Sequence, residues 1–179
     1  DHGAMSFVGA LPRSDDKTEH ATPLGEIRLW RRIAATALSD VYEGDMNGVR
    51  CAIKVARTRY DIANEVPMET QGRIQNTGSS KPWLLDPAAI LRRQFAFMSQ
   101  IDQPFVPKVH GLTQLTVDGE LRTAMVMDWV EGRPALDPAL PVGARVRNVG
   151  VIARQLITLR AAGHDWLDLK PAHVIARRG

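Results

Sequence analysis

Residues 49–57 read VRCAIKVAR, and the reading of the fold turns on them. Apolar residues fall at Val49, Cys51, Ile53 and Val55, the strict alternation of a strand with one buried face. The other face carries Arg50, Ala52, Lys54 and Ala56. Lys54 therefore sits among small neighbours, pointing away from the Cys51 and Ile53 side. An ammonium there is either a lysine snorkelling to solvent along its stem or a group held ready for an anion. The segments on both sides decide between these.

Upstream, IRLWRRIAA (27–35) and LSDVYEG (38–44) have strand texture, and DMNG (45–48) supplies a turn in which Asn47-Gly48 signals a hairpin. Residues 1–25 are polar and turn-rich and are expected to form a loose arm, with DHGAM before Met5 read as an appended remnant. Downstream, residues 57–85 contain Gly72, NTGSS and Pro82 and read as a long insertion with one helical turn near 62–65.

A helix is expected from Asp86, a good N-cap followed by Pro87 at the first helical position. Ile90, Phe97 and Ile101 share one stripe, and Gln94 lies in it. QPFVPKVHGLTQLTVDGELRTAMVMDWVEG (103–132) reads as a strand, a hairpin at Asp118-Gly119, and an apolar strand over residues 124–130. In PVGARVRNVGVIARQLITLRAAG (141–163), Val146, Val149, Ile152, Leu156 and Leu159 recur at helical spacing and Gly163 is a C-cap. Arg145, Arg147, Arg154 and Arg160 are placed on its solvent side. HVIARRG (173–179) closes the sequence as a short strand and turn.

Composition narrows the classes. The chain has 179 residues, 44% of them hydrophobic, which suits a globular core. Its net charge of +3, from 23 basic and 20 acidic residues interspersed, gives no basic stripe for nucleic acid. One cysteine, Cys51, excludes an intrachain disulfide and a multi-thiolate zinc site, and a cytoplasmic location is the expectation. No apolar run approaches the ~20 residues of a membrane span.

Hairpin, Lys-bearing strand, helix, two strands, a linker at WVEGRP (129–134), a helix and then DLKP (168–171) follow in that order. So arranged, the sequence resembles the protein-kinase fold. CAIKV (51–55) is similar to the family's third strand, MVMDWVEG (125–132) to the strand and hinge joining two lobes, and WLDLKPAHVI (166–175) to the catalytic loop. The likeness runs from about residue 27 to 179. It implies an α+β, bilobal architecture: a β-sheet N-lobe over 26–130, interrupted by the 57–85 insertion, and a partial helical C-lobe over 131–179.

The resemblance implies roles residue by residue. Lys54 would bind the α- and β-phosphates of ATP. Asp168 would take or orient the proton of the attacking hydroxyl, and Lys170 would neutralise the γ-phosphate. The backbone of Asp128 and Val130 would meet the adenine, with Met127 guarding the back of the pocket. Catalysis of this kind rests on positioning and charge stabilisation.

The departures carry equal information. The three glycine positions of the phosphate loop are Ala34, Thr36 and Ser39. The helix Glu that partners the strand Lys aligns with Gln94, a neutral amide, so that ATP phosphates, Glu65 or Glu69 would supply the counter-charge. Trp166 and Leu167 replace the His-Arg before the catalytic Asp. His173 stands at the Mg²⁺-binding Asn, although magnesium prefers oxygen ligands; bacterial lipopolysaccharide core sugar kinases are similar there. The family's Asp-Phe-Gly would fall some ten residues past Gly179.

The leading expectation is thus an ATP- and Mg²⁺-dependent phosphotransferase of the Ser/Thr protein kinase type. The alternatives are a sugar kinase, suggested by His173, and a pseudokinase acting as a binding or regulatory module. The acceptor would be a protein or sugar hydroxyl, and a half-built second lobe implies self-association or a partner chain that completes it.

Overall fold

The computed structural model describes residues 18–36, 38–58, 86–165 and 174–177. In chain order the elements are β1 (Thr18–Thr22), β2 (Gly25–Ala35), β3 (Ser39–Met46), β4 (Val49–Ala56), α1 (Pro87–Met98), β5 (Val109–Val117), β6 (Glu120–Asp128), β7 (Gly132–Pro134), α2 (Val142–Ala161) and β8 (Ile175–Arg177). Six strands form one sheet in the order β1-β2-β3-β4-β6-β5, antiparallel throughout, and β7 pairs with β8.

The two expected hairpins form for the expected reason. Asn47 and Gly48 have φ of 53° and 79°, and Asp118 and Gly119 have 52° and 78°. Two successive left-handed residues match the twist of the flanking strands, and Asn-Gly and Asp-Gly reach that region at low cost. The Asn47 amide also accepts from Glu26 N and donates to Leu24 O, tying the β3–β4 turn to the β1–β2 turn.

The sheet buries both faces. Ile27 and Leu29 of β2 join Cys51, Ile53 and Val55 of β4, Leu115 and Val117 of β5, and Ala124 and Val126 of β6 in one cluster. In sheet order three strands separate β2 from β5, so a shared cluster requires the sheet to curl around it. β1 and β5 accordingly come together, and Leu24 packs where a Cβ on Gly111 would otherwise stand. Each Val, Leu or Ile so buried stabilises the domain by about 1.5–3 kcal/mol.

On the opposite face, Leu91 and Met98 of α1 pack with Ala56 and Met125. The helix begins as expected, with Asp86 Oδ1 accepting from Ala88 N at 2.9 Å and Ala89 N at 3.2 Å and Pro87 at the first position.

Four expectations are corrected. Thr18–Thr22 belongs to the sheet, paired with β2, so these residues are not part of a loose arm. The buried centre of α1 is Leu91 and Met98, with Ile90, Gln94, Phe97 and Ile101 only half-buried. Along α2, Leu159 is buried and Ile152 and Leu156 are half-buried, whereas Val146 and Val149 are 64% and 51% exposed. Arg145 is half-buried rather than on the solvent side, while Arg147, Arg154 and Arg160 are exposed. The insertion beyond Thr58, with Glu65 and Glu69, lies outside the described residues. Among those residues no helix is long and apolar enough to cross a membrane.

Candidate functional site

Strand register builds the site. Lys54 lies opposite Val41 of β3 on one side and Met125 of β6 on the other, and Ala52 lies opposite Met127. Side chains of paired residues share a face, so Val41, Ala52, Lys54, Met125 and Met127 line the face that α1 covers in part. The Lys54 ammonium donates to Gln94 Oε1 at 2.7 Å. The amide satisfies one of the ammonium's donors without cancelling its charge.

The segment expected as a hinge leaves β6 at Asp128. Its N–H donates to Lys108 O at 2.9 Å, one carboxylate oxygen stands 2.8 Å from His110 Nε2, and the other accepts from Lys108 N at 3.2 Å. These bonds fix the direction of the strand end. Val130, two residues on, lines a cavity of about 590 Å³ together with Phe105, Leu156, Leu159 and Ile175. Gly132 then enters β7 at φ 154°, where a Cβ would lie 2.1 Å from Ala176 O. Close pairing of β7 with β8 therefore requires glycine there.

Charged residues near the hinge form a clasp that alternation alone did not single out. Glu43, whose side chain is 7% exposed, accepts from Arg31 Nε at 2.5 Å and from Arg50 Nε and Nη2 at 2.9 and 2.6 Å. Burial pushes its carboxyl pKa up, but the hydrogen bonds and charges of Arg31 and Arg50 outweigh that, and the net shift is downward. Arg50 also donates to Glu131 at 2.9 Å and lies 4.2 Å from the Trp129 ring centroid, whose indole N–H donates to Glu131 at 2.8 Å. The guanidinium thus joins the sheet to the segment that follows β6, and Trp129 stacks on Arg50. The available signal was parity: Glu43 and Arg50 share the strand face of Val41 and Lys54.

The hairpin tip between β2 and β3 carries the three positions expected as a phosphate loop. Ala34 pairs with Val41 and is exposed, as is Thr36, while Ser39 is 3% exposed. Thr36 N donates to Ser39 O at 2.8 Å, and the Thr36 hydroxyl accepts from Ser39 N at 3.1 Å. Arg57 N donates to Leu38 O, and the Arg57 guanidinium meets Asp40 at 2.8 Å with both side chains under 7% exposed.

Lys54, Gln94 and Met127 thus come together on one face, with Thr36 and Ser39 at its far end and Asp128 and Val130 at the hinge. Asp168, Lys170 and His173 lie outside the described residues. Just before them, the His164 ring meets Phe97 of α1 edge-on, centroids 6.1 Å apart, linking the helix that carries Gln94 to the segment leading toward Asp168. Among the described residues no three acidic, imidazole or thiolate groups converge to hold a metal ion.

No family model matches the chain, and no curated protein matches it in sequence. Solved structures do match. A double-mutant kinase domain of Mycobacterium tuberculosis PknI is 23% identical, with a TM-score of 0.52 over 90% of this chain and 56% of that one. A Rad53 fragment in complex with AMP-PNP is 16% identical, with a TM-score of 0.55 over 83% of this chain and 34% of that one. PpkA-294 in its apo form is 13% identical, with a TM-score of 0.55, 84% of this chain and 54% of that one covered. The fold is protein-kinase-like. At these identities the likeness concerns architecture alone, and the chain spans about half the length of the PknI kinase domains it matches.

Proposed function

We propose that the chain binds ATP beneath Ala52, Lys54 and Met127 and carries the nucleotide-binding part of a phosphotransferase of the Ser/Thr protein kinase type. The observation that carries this reading is the Lys54 ammonium, set on a strand face and oriented at 2.7 Å by Gln94 of the packed helix. A cation so placed, on the strand face it shares with Ala52, Met125 and Met127, suits a phosphate group. In this reading the backbone of Asp128 and Val130 meets the adenine and Lys54 holds the α- and β-phosphates. Asp168 accepts the hydroxyl proton as the oxygen attacks phosphorus, and Lys170 offsets the charge of the γ-phosphate as its bond to ADP breaks.

A second reading has a specific observation in its favour. Gln94 stands where the resemblance implies a glutamate, and Thr36 and Ser39 stand where it implies glycines. Both suit a module that binds nucleotide and does not transfer phosphate. Titration with ATP, with and without Mg²⁺, against the chain and Lys54→Met tests the first step by thermal unfolding. A hundredfold excess over Kd should stabilise the parent by about 2.7 kcal/mol, and Lys54→Met should lose most of that. Absence of any shift in folded parent protein removes nucleotide from the account. Where ATP binds, labelled-phosphate transfer by the parent, abolished in Asp168→Asn with binding retained, separates enzyme from module.

A further inference from the structure

We propose that Thr36 sets nucleotide specificity by filling the phosphate-facing tip of its own hairpin. This rests on nucleotide binding in the cleft proposed above. Backbone N–H groups converging in a turn make a site for an anion. Here the Thr36 hydroxyl oxygen already stands in that place. It accepts from Ser39 N at 3.1 Å and from Leu38 N at 3.4 Å, donates to Ser39 O at 2.9 Å, and lies 3.1 Å from the Ser39 hydroxyl.

The register places this tip along the path of a phosphate tail. Val41 pairs with Lys54 and Ser39 with Ala56, so Ser39 lies two residues beyond Lys54, about 7 Å along the strand. Groups at the tip are thus those that a tail extending past the Lys54 ammonium would meet. A phosphate oxygen can bond Ser39 N or Leu38 N only by displacing the hydroxyl, which leaves Thr36 to find new partners.

The tip is also braced against opening. Arg57 N holds Leu38 O at 2.9 Å at the end of β4. Asp40, next to Ser39, is bonded to Arg57 at 2.8 Å and lies 3.4 Å from Arg32 Nη1. Asp40 pairs with Val55, so it belongs to the core face and its charge is turned from the cleft. Base, ribose and the phosphates next to Lys54 therefore provide the affinity, and the terminal phosphate adds little. The site therefore discriminates weakly between ATP and ADP, and Thr36 is the residue responsible.

Calorimetric titration of ATP, ADP and adenosine into the full chain, Thr36→Gly and Thr36→Val provides the test. In the parent, ATP binds within about tenfold of ADP, and both bind more tightly than adenosine. Thr36→Gly raises the ratio of ATP to ADP affinity at least tenfold, because Ser39 N and Leu38 N become free to meet the terminal phosphate. Thr36→Val keeps the β-branch and removes the acceptor, so it raises the ratio as well. A ratio unchanged in both variants, with ATP still bound, overturns the role of Thr36 and leaves nucleotide binding standing. A rise in Thr36→Gly alone also overturns it, since backbone freedom rather than the hydroxyl would then be the cause. If neither ATP nor adenosine binds any of the three, this inference falls together with the nucleotide reading.

Discussion

Replacing Glu43 by Gln isolates the clasp between sheet and hinge. The carboxylate is 7% exposed and accepts three hydrogen bonds from two guanidiniums. Glutamine keeps one acceptor and turns an NH₂ toward a guanidinium, so at least one charge-assisted bond is lost and a donor faces a donor. Breaking a fully buried ion pair costs about 3–5 kcal/mol. Arg31 and Arg50 are 69% and 42% exposed and can rehydrate, which lowers the cost. The expected loss is about 1–3 kcal/mol, or roughly 2–12 °C in Tm for a chain of this length.

The pH dependence gives the sharper test. The folded-state pKa of Glu43 lies below its ordinary value. Its contribution is therefore full above the unfolded pKa and is lost as pH falls through the folded one. Urea unfolding of parent and Glu43→Gln between pH 7 and pH 3 should show a gap that is widest at neutral pH and closes on acidification. A gap below 0.5 kcal/mol at pH 7, or one that is constant with pH, refutes the reasoning.

Two further outcomes follow from single residues. Burial raises the Cys51 thiol pKa to about 11. Only about one thiol in a thousand is then ionised at pH 8, so a thiol reagent should label the chain only as it unfolds; labelling of folded protein at the rate of a free thiol contradicts this. Gly132→Ala pushes a Cβ against Ala176 O and should cost about 1–3 kcal/mol in thermal unfolding; an unchanged Tm means that β7 and β8 separate without penalty.

What the sequence disclosed tracks how local each signal is. The Asn47-Gly48 and Asp118-Gly119 turns and the Asp86-Pro87 helix start are written in neighbouring residues and appear as read; the alternation around Lys54 holds for Cys51, Ile53 and Val55, whereas Val49 at the strand end is 68% exposed and Ala56 on the other face is buried. β1 was missed because TEHAT lacks apolar alternation and owes its strand form to pairing with β2. The α1 stripe was placed about one residue away from its true centre, and one residue is 100° of helix, enough to put Leu91 rather than Ile90 against the sheet. The Arg50–Glu131 bond joins residues 81 apart in sequence, a distance across which charge pattern carries no information. Of the candidate site, strand parity placed Lys54, but Gln94 as its partner was legible only through the family resemblance, since helix periodicity gave it no special standing.

The curl that brings β1 against β5 has a bearing on how the chain behaves among its own copies. An open antiparallel sheet offers two rows of unpaired amides and carbonyls, each a template for a strand from another molecule. Here the two outermost strands close toward each other, with Leu24 wedged over Gly111. A foreign strand cannot lie between them without prising the sheet apart and uncovering Ile27, Leu115 and their neighbours. Addition at the rim is thereby tied to the integrity of the interior, which guards against fibril growth without relying on charge or proline.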